Sequence, residues 1–351
     1  MTRTAFGGSE LRASLEAHGE AGVVELIDAL QAMIGEADLA DRVIDLIPLK
    51  SHVYRMRLGE NGARSVILKG SEPTVAHLGR LVAERWLPAL GLGDRCARLV
   101  ATVPDREGRW FWQVYEDLGE ETLARTADRS CVIAATDLVA ELHARGRGHA
   151  LLPEVRHEGK DFGLSFFISN VGDAVRGLEQ LDGTTGRPPI QMEPLRDRLL
   201  ERLYPLVADT SRRARALQEA DMPDTFLHGD LWRDNVFVTV SRAGASARLI
   251  DWDHVGVGPL TYDLSTFLLR FSPSERPWIL ARYRQALAPA GWRLPPDGEL
   301  NVLFETAEYA RFANRASWAA MAWLHDRADW VPIELAEIAR WFESWRPVLA
   351  E

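Results

Sequence analysis

"LHGDLWRDN", residues 227–235, places two acidic side chains, a histidine and an asparagine directly before the apolar run "VFVTV". Within it, Asp230 and Asn235 lie five positions apart. A second polar stretch, "LIDWDHVGVGPLTYDL" at residues 249–264, starts at the end of the next apolar run, and Asp251 is its first acidic residue. The short segment "SRAGAS" joins the two apolar runs and predicts a hairpin. Because a hairpin brings its two ends back to the same place, we expect Asp230, Asn235 and Asp251 to converge.

Convergent carboxylate and amide oxygens indicate phosphoryl-transfer chemistry. Such hard ligands suit Mg²⁺, which keeps coordination positions for phosphate oxygens and water. A further carboxylate that does not bind the metal can accept the proton of an attacking hydroxyl. Protein kinases place an Asp and an Asn five positions apart in one loop, and a metal-binding Asp follows on the next hairpin. An Asp-rich loop can also be a simple turn or helix cap, but two polar stretches at this spacing favour the catalytic interpretation.

The composition is typical of a globular protein with two domains or lobes. The chain has 351 residues, of which 46% are hydrophobic and 26% charged, and a formal net charge of -10. This charge disfavours a nucleic-acid partner and weakly favours a cationic small molecule. Cys96 and Cys131 lack the spacing of a disulfide framework or metal site, so we expect reduced thiols. With neither an apolar signal-peptide core nor a bilayer-length apolar stretch, we expect a cytoplasmic protein without a membrane partner. The oligomeric state stays open.

The order of elements predicts an α+β protein with a boundary near residue 116. Up to residue 115, the patterns predict helices over 8–36 and 74–87, and antiparallel strands over 43–49, 52–58, 65–69, 97–103 and 109–115. After that the chain is mostly helical apart from the hairpin, and the Gly-, Pro- and charge-rich segment 148–190 predicts an insertion. We therefore expect a small sheet lobe, residues 1–115, and a larger helical lobe, residues 116–351.

The sheet lobe also contains candidate nucleotide-binding residues. Lys69 ends the third predicted strand, and Glu84 lies fifteen residues later in the following helix. In kinases a lysine at this strand contacts the phosphates and pairs with a helix glutamate. The segment "WQVYEDLG" falls where a connector between lobes would run, so its residues Tyr115, Glu116 and Asp117 are candidates for binding an adenine.

These motifs together resemble the aminoglycoside phosphotransferase family, which includes choline-kinase-like and other small-molecule kinases with a protein-kinase-like fold. "HGDLWRDN" is similar to the family's catalytic loop, and "LIDWDHVGVGPLTYDL" to its metal motif, with a second Asp twelve residues after the metal Asp. "ELHARG" (141–146) resembles the helix end that precedes the family's insertion, and the resemblance covers roughly residues 43–270. It implies ATP, or GTP, as phosphate donor, Mg²⁺ as cofactor and a hydroxylated small molecule as acceptor.

The resemblance also implies roles for individual residues. Asp230 is the expected general base, and Asn235 and Asp251 are the expected magnesium ligands. The remaining assignments are phosphate binding by Lys69, orientation of this lysine by Glu84, and structural support of the loop by His228 and Asp263. The chain departs from the kinase pattern at one point, because "PLKSHVY" (48–54) replaces a glycine-rich loop. We expect Ser51 and nearby backbone N–H groups to contact the phosphates there.

The acceptor is left open by the sequence. Glu305, Glu308 and Asp326 lie in or near a polar-rich helical segment and are candidates for binding amino groups of an aminoglycoside or amino sugar; the alternative is a solvated helix surface. A neutral sugar or a choline-like alcohol is a further alternative. A protein substrate is disfavoured, because only eleven residues separate Asp251 from Asp263. The competing class is a nucleotide-binding pseudokinase with a regulatory role, although the expected catalytic residues are all present.

Overall fold

The computed structural model describes residues 8–34, 43–59, 64–126, 128–181 and 192–349. The chain divides into two compact units, Met1–Leu138 with Asp234–Asp253, and Val139–Arg233 with His254–Glu351. This division does not follow the expected boundary at residues 115 and 116. The hairpin after residue 235 belongs to the first unit, where Val236 accepts a backbone hydrogen bond from Leu123 and Val238 donates one to Glu121.

The described elements are named in chain order. The strands are β1 (Val43–Lys50), β2 (Val53–Leu58), β3 (Arg64–Ser71), β4 (Leu99–Pro104), β5 (Phe111–Glu116), β6 (Lys160–Asp161), β7 (Thr225–Leu227), β8 (Val236–Ser241), β9 (Gly244–Leu249) and β10 (Gly256–Gly258). The helices are α1 (Gly8–Ala17), α2 (Val23–Ile34), α3 (Pro73–Leu81), α4 (Arg129–Gly146), α5 (Leu152–Glu158), α6 (Leu164–Glu179), α7 (Met192–Ala208), α8 (Thr210–Glu219), α9 (Thr261–Leu269), α10 (Arg276–Leu287), α11 (Asp297–Asp326) and α12 (Val331–Ser344). Within the described ranges, none of the helices is long and apolar enough to cross a membrane.

The first unit is built on an antiparallel sheet of order β1-β2-β3-β5-β4. Tyr54 and Met56 alternate along β2 and are buried together with Trp112 and Val114 of β5, as the period of two residues along a strand requires. Lys69 of β3 pairs across the sheet with Val53 and Gln113. The predicted strands are therefore present, and β3 carries Lys69 into the centre of the sheet.

The single helix predicted over residues 8–36 is two helices. α1 ends at Ala17 and α2 begins at Val23, and residues 35 and 36 lie outside the described part of the chain. Gly19 and Gly22 have φ angles of +74° and +64°. This left-handed conformation ends a helix and suits glycine, which has no Cβ to clash with the backbone. The apolar faces of both helices still pack on the sheet.

The second unit is mainly helical, with a small sheet of order β6-β10-β7. α6 packs against α11, and a Cβ on Gly177 of α6 would lie 2.9 Å from the Cβ of Ala320 on α11. The two helices share one buried apolar cluster with α7 and α12. The described residues 148–181 of the expected insertion therefore form α5, β6 and α6, and α6 belongs to the core of this unit. Residues 182–190 lie outside the described part.

Candidate functional site

A cavity of about 290 Å³ lies in the first unit, a size close to the lower end for small-molecule sites. Its walls come from β1, β2, β3, the end of β5 with the residues that follow, and both ends of the β8–β9 hairpin. The lining combines apolar side chains, including Val53, Ile67 and Phe237, with charged residues. Four of these charged residues pair with one another, namely Lys50, Lys69, Asp251 and Asp253. We call these four residues the charged cluster. A cavity with this lining suits a ligand that has both an apolar and a charged part.

Two lysines bind the Asp251 carboxylate. Lys69 Nζ lies 2.8 Å from Asp251 Oδ1 and 2.6 Å from Asp253 Oδ1, and Lys50 Nζ lies 2.7 Å from Asp251 Oδ2. Burial raises the pKa of Asp251, but the charges and hydrogen bonds of Lys69 and Lys50 outweigh it, so this pKa lies well below its usual range. Burial lowers the pKa of Lys69, and the two carboxylates in turn raise it above its usual value. The Lys69 ammonium and the Asp251 carboxylate are therefore both ionised at neutral pH.

The hairpin places Asn235 and Asp251 at the same cavity. Val236 pairs with Leu249, and the Ile250 N–H donates to the Asn235 carbonyl oxygen at 3.0 Å. Asp251 follows with φ +64°, a left-handed conformation that costs a non-glycine residue about 1 kcal/mol or more. Its two lysine contacts help to stabilise this conformation. Asn235, Asp251 and Asp253 all line the cavity and supply amide and carboxylate oxygens.

Glu84 does not form the predicted ion pair with Lys69. Among the described residues, Lys69 pairs with the two aspartates, and Glu84 Oε2 lies 3.9 Å from Arg80 Nη1 with 57% of its side chain exposed. The reason is a π-helical turn, Val82–Trp86, directly after α3. Because this wider turn buries Val82 and Trp86, Glu84 faces solvent. Ordinary helical spacing does not anticipate a π-turn.

Ser51 is exposed in the turn between β1 and β2 and is not among the residues that line the cavity. The preceding residue, Lys50, lines the cavity instead of Ser51. The motif "PLKSHVY" did not single out Lys50 as a functional residue. The rarity of lysine in the composition could have done so. Only three of the 41 basic Lys and Arg residues are lysines, and two of these three bind Asp251.

The end of β5 and the residue that follows it line the cavity with Tyr115, Glu116 and Asp117. Both acidic side chains have protein partners, because Arg248 donates to Glu116 at 2.6 Å and Arg55 Nε lies 2.6 Å from Asp117. Burial, followed by the charge of Asp253, raises the pKa of the Tyr115 hydroxyl well above its usual value. This segment is therefore a rigid wall, and its carboxylates serve to hold it in place.

In the second unit, residues 228–232 form a tight loop, which we call the Asp230 loop. The two carboxylate oxygens of Asp263 accept hydrogen bonds from the His228 and Gly229 N–H groups at 2.7 and 2.8 Å. The Asp230 N–H donates to His228 Nδ1 at 3.2 Å, and Asp230 itself is half-buried. Gly229 has φ +83°, and a Cβ there would lie only 1.9 Å from the His254 carbonyl oxygen. Only glycine fits this position.

His143 completes the support of Asp263. Its Nε2 lies 3.3 Å from Asp263 Oδ2, and its Nδ1 lies 2.6 Å from the Tyr283 hydroxyl, with all three side chains buried. Burial raises the pKa of Asp263, but the hydrogen bond and charge of His143 outweigh it, so this pKa lies below its usual value. Asp263 is thus an ionised, fully buried acceptor of hydrogen bonds. His143 lies in the motif "ELHARG", but the motif does not predict its contact with Asp263.

Glu308, a candidate for acceptor binding, is a core residue. It is fully buried, and its Oε1 accepts hydrogen bonds from Ser265 at 2.7 Å and Thr266 at 3.1 Å. Glu305 Oε2 lies 3.4 Å from Arg213 Nη2, and Asp326 is exposed at the last residue of α11. Because its α11 face is buried, Glu308 has no surface that a cationic acceptor can reach.

The charged cluster and Asn235 offer hard oxygen atoms for a divalent cation. No group of three or more His, Cys, Asp or Glu side chains suited to a metal occurs within the described ranges. The carboxylate and amide oxygens of Asp251, Asp253 and Asn235 do fit Mg²⁺, which binds through few protein oxygens and keeps water and phosphate ligands. In addition, two ammonium groups already bind the oxygens of Asp251, which shows that this position favours positive charge.

A model of a family described as the phosphotransferase enzyme family matches residues 46–299. No curated protein sequence matched.

Solved structures resemble the fold over nearly the whole chain. An ethanolamine kinase from Plasmodium vivax has a TM-score of 0.59 at 9% identity, covering 95% of this chain and 94% of that one. An aminoglycoside 2'-phosphotransferase-IIIa, solved with GDP, has a TM-score of 0.59 at 16% identity, covering 91% and 98%. A spectinomycin phosphotransferase, APH(9)-Ia, solved with ADP and spectinomycin, has a TM-score of 0.57 at 12% identity, covering 91% and 95%. These similarities confirm the predicted protein-kinase-like α+β fold.

Proposed function

The chain belongs to the phosphotransferase enzyme family, and we propose that it transfers the γ-phosphate of ATP to a hydroxyl group of a small molecule. The observation that carries this proposal is the charged cluster in the cavity of the first unit. Each of its two carboxylates and two ammonium groups lies within 2.8 Å of a group of opposite charge. A nucleotide with a divalent cation offers each kind of group a partner, because the carboxylates suit the cation and the ammonium groups suit the phosphates.

We assign Asp251 and Asn235 as the residues that hold Mg²⁺, with Asp253 as a third oxygen ligand. The low pKa of Asp251 keeps its carboxylate ionised for this role. When bound there, Mg²⁺ would neutralise the negative charge on the phosphates. Lys69 and Lys50 bind phosphate oxygens, and they prevent the phosphate charge from repelling the cluster carboxylates.

The base of the nucleotide binds the apolar part of the cavity beside Tyr115. Val53, Ile67 and Phe237 provide an apolar lining, and such lining with a few polar groups is typical of cofactor sites. The similar structures hold ADP in one case and GDP in another. ATP is our proposal, and a direct comparison of ADP and GDP binding tests it.

Asp230 is the proposed general base. Its carboxylate takes the proton of the acceptor hydroxyl, the hydroxyl oxygen forms a bond to the γ-phosphorus, and the bond from the γ-phosphorus to the β–γ bridging oxygen breaks, releasing ADP. The Asp230 loop suits this role, because Asp263 holds the two preceding N–H groups and so limits the movement of Asp230. The acceptor is a hydroxylated small molecule; aminoglycosides, amino sugars, neutral sugars and choline-like alcohols are all to be tested.

The test measures Mg²⁺-dependent ADP release against a panel of these acceptors, with Asp230→Asn as the matched variant. Asparagine keeps the shape of the side chain and removes its basicity, so we expect turnover to fall by at least about 100-fold. ADP affinity, measured by calorimetry, should change little. Near-normal turnover in the variant would remove Asp230 from the mechanism. ADP binding by the wild type without turnover on any acceptor would indicate a regulatory pseudokinase.

A further inference from the structure

Arg270 follows α9 directly and contacts the Asp230 loop through an aromatic ring. Its guanidinium carbon lies 3.4 Å from the ring centroid of Trp232. The Trp232 N–H donates in turn to the Asp230 carbonyl oxygen at 2.9 Å. Arg270 is therefore stacked on the residue that closes the turn around the proposed base.

The N–H groups of Arg270 have no acceptor among the described residues. No hydrogen bond or ion pair of its guanidinium occurs there, and Nε is sealed from solvent without a partner. Arg311 on the other side of the loop differs, because its Nη1 donates to the Gly229 carbonyl at 3.0 Å and its Nη2 to the Tyr262 carbonyl at 3.2 Å. Arg311 is a structural brace of the loop, whereas Arg270 has unused donors.

An unpaired guanidinium in this position is costly. Burial lowers the pKa of Arg270. The charge of Glu308 raises this pKa, and the charge of Arg311 lowers it. Glu308 Oε1 is already bound by two hydroxyl groups and lies 3.8 Å from Arg311 Nε. The stack on Trp232 occupies the flat face of the Arg270 guanidinium, and its Nε is sealed from solvent. The donors left for a ligand are therefore those of Nη1 and Nη2, which can bind a planar oxyanion with two parallel hydrogen bonds.

The charges of Glu308 and Asp230 raise the pKa of Arg270, but among the described residues neither carboxylate forms a hydrogen bond or ion pair with its guanidinium. Glu305 pairs with Arg213. The cation next to the Asp230 loop therefore keeps donors for a further oxyanion. This arrangement suits an acceptor that carries negative charge better than a polycationic one.

We propose that Arg270 binds an oxyanion of the acceptor, a carboxylate or a phosphate ester, while the acceptor hydroxyl is directed to Asp230. The inference rests on the proposed function and deepens it by naming the acceptor class as hydroxylated anions. Trp232 fixes the plane of the guanidinium, so the anionic group is recognised by direction as well as by charge.

The test uses pairs of hydroxylated compounds that differ in one charged group: ethanolamine and serine, glucose and glucuronate, and glycerol and glycerol 3-phosphate. kcat and KM are measured for the wild type, Arg270→Met, Arg270→Lys and the control Arg293→Met, which alters an exposed arginine of the same unit. We expect the wild type to favour, in at least one pair, the member that carries the additional carboxylate or phosphate. Arg270→Met should raise KM for that compound by about 10- to 100-fold, as the loss of a charge-assisted hydrogen bond predicts. KM for the member without this group should stay within about two-fold.

Arg270→Lys should recover part of the loss, since it restores charge without the planar fork, and Arg293→Met should resemble the wild type. The carboxylate and phosphate arms identify which oxyanion is bound. Preference of the wild type for the neutral or cationic member of every pair, or no use of any anionic compound, overturns the inference. So does an equal fall of kcat for all acceptors in Arg270→Met, which would indicate contact with the transferred phosphoryl group. Failure of the proposed function is separate, because the wild type then either binds no ADP or binds it without turnover on any acceptor, neutral acceptors included.

Discussion

Replacing Lys50 by methionine should weaken nucleotide binding and, at the same time, strengthen binding of a free divalent cation. Lys50 Nζ lies 2.7 Å from Asp251 Oδ2, so it would compete with a cation for that oxygen. Once a cation binds Asp251, the Lys50 ammonium is released and pairs with the phosphates. The same substitution should therefore lower the affinity for the nucleotide and raise the affinity for the free cation.

The size of each effect follows from exposure. The Lys50 side chain is 59% exposed and that of Asp251 20% exposed, and an ion pair of this kind contributes about 1 kcal/mol at most. Removing the competing ammonium should therefore tighten binding of the free cation by no more than about five-fold. A charge-assisted hydrogen bond to phosphate contributes about 1.5–3 kcal/mol, so ADP should bind about 10- to 150-fold more weakly. The free energy of unfolding should change by less than about 1 kcal/mol.

Calorimetry measures ADP and adenosine affinity in the presence of Mg²⁺, and electron paramagnetic resonance of Mn²⁺ measures the free cation. Adenosine is the internal control, because it lacks phosphates and should bind equally well to the wild type and to Lys50→Met. Lys50→Arg should retain most of the ADP affinity. Unchanged ADP affinity in Lys50→Met, or a change of the ADP and Mn²⁺ affinities in the same direction, would refute the exchange of partners at Asp251.

Three further predictions concern the Asp230 loop and the cavity. Asp263→Asn leaves one of two backbone N–H groups without an acceptor and should lower the free energy of unfolding by about 2–3 kcal/mol. The folded-state pKa of Asp263 lies below its usual value, so its contribution to stability is present at neutral pH and is lost as pH falls below about 4. Urea titrations should therefore show a smaller loss of stability from pH 5 to 3 in the variant than in the wild type. Equal losses in both proteins would contradict this. Gly229→Ala brings a Cβ to 1.9 Å from the His254 carbonyl oxygen and should destabilise the fold by more than about 3 kcal/mol, so an unchanged melting temperature would exclude the clash. Burial raises the pKa of the Cys96 thiol to about 11, so iodoacetamide at pH 8 should label it at least about 100-fold more slowly than a free thiol, and rapid labelling in a mass-spectrometric time course would show that the thiol is accessible and ionised.

The sheet and the hairpin could be predicted because local patterns specify them. The alternation of apolar residues along β2 places Tyr54 and Met56 on the buried face whatever the rest of the chain does. Likewise, the turn between β8 and β9 returns the chain to the level of Asn235, so the contact from Ile250 to the Asn235 carbonyl follows from strand pairing. Features that depend on pattern within about ten residues are therefore readable from sequence.

The boundaries of the N-terminal helices were less readable. The apolar residues of α1 and α2 share one helical period, which predicted a single helix. The interruption depends on the backbone conformations of Gly19 and Gly22, and glycine in a helical pattern predicts a break only when its φ angle is known. The segment 148–181 posed the opposite problem. Its Gly and Pro content indicated an insertion, whereas the apolar residues of α6 find their partners on α11, far away in sequence.

The partner of Lys69 illustrates a limit that no local pattern overcomes. Motif spacing selected Glu84, but in the structure Lys69 pairs with Asp251 and Asp253, whose side chains are only 20% and 32% exposed. Leaving two half-buried carboxylates without a cation would cost more than leaving an exposed Glu84 to water and Arg80. The pairing of Lys69 is therefore set by how deeply each carboxylate is buried. Burial depends on contacts between residues far apart in the sequence, so the spacing of a motif does not reveal it.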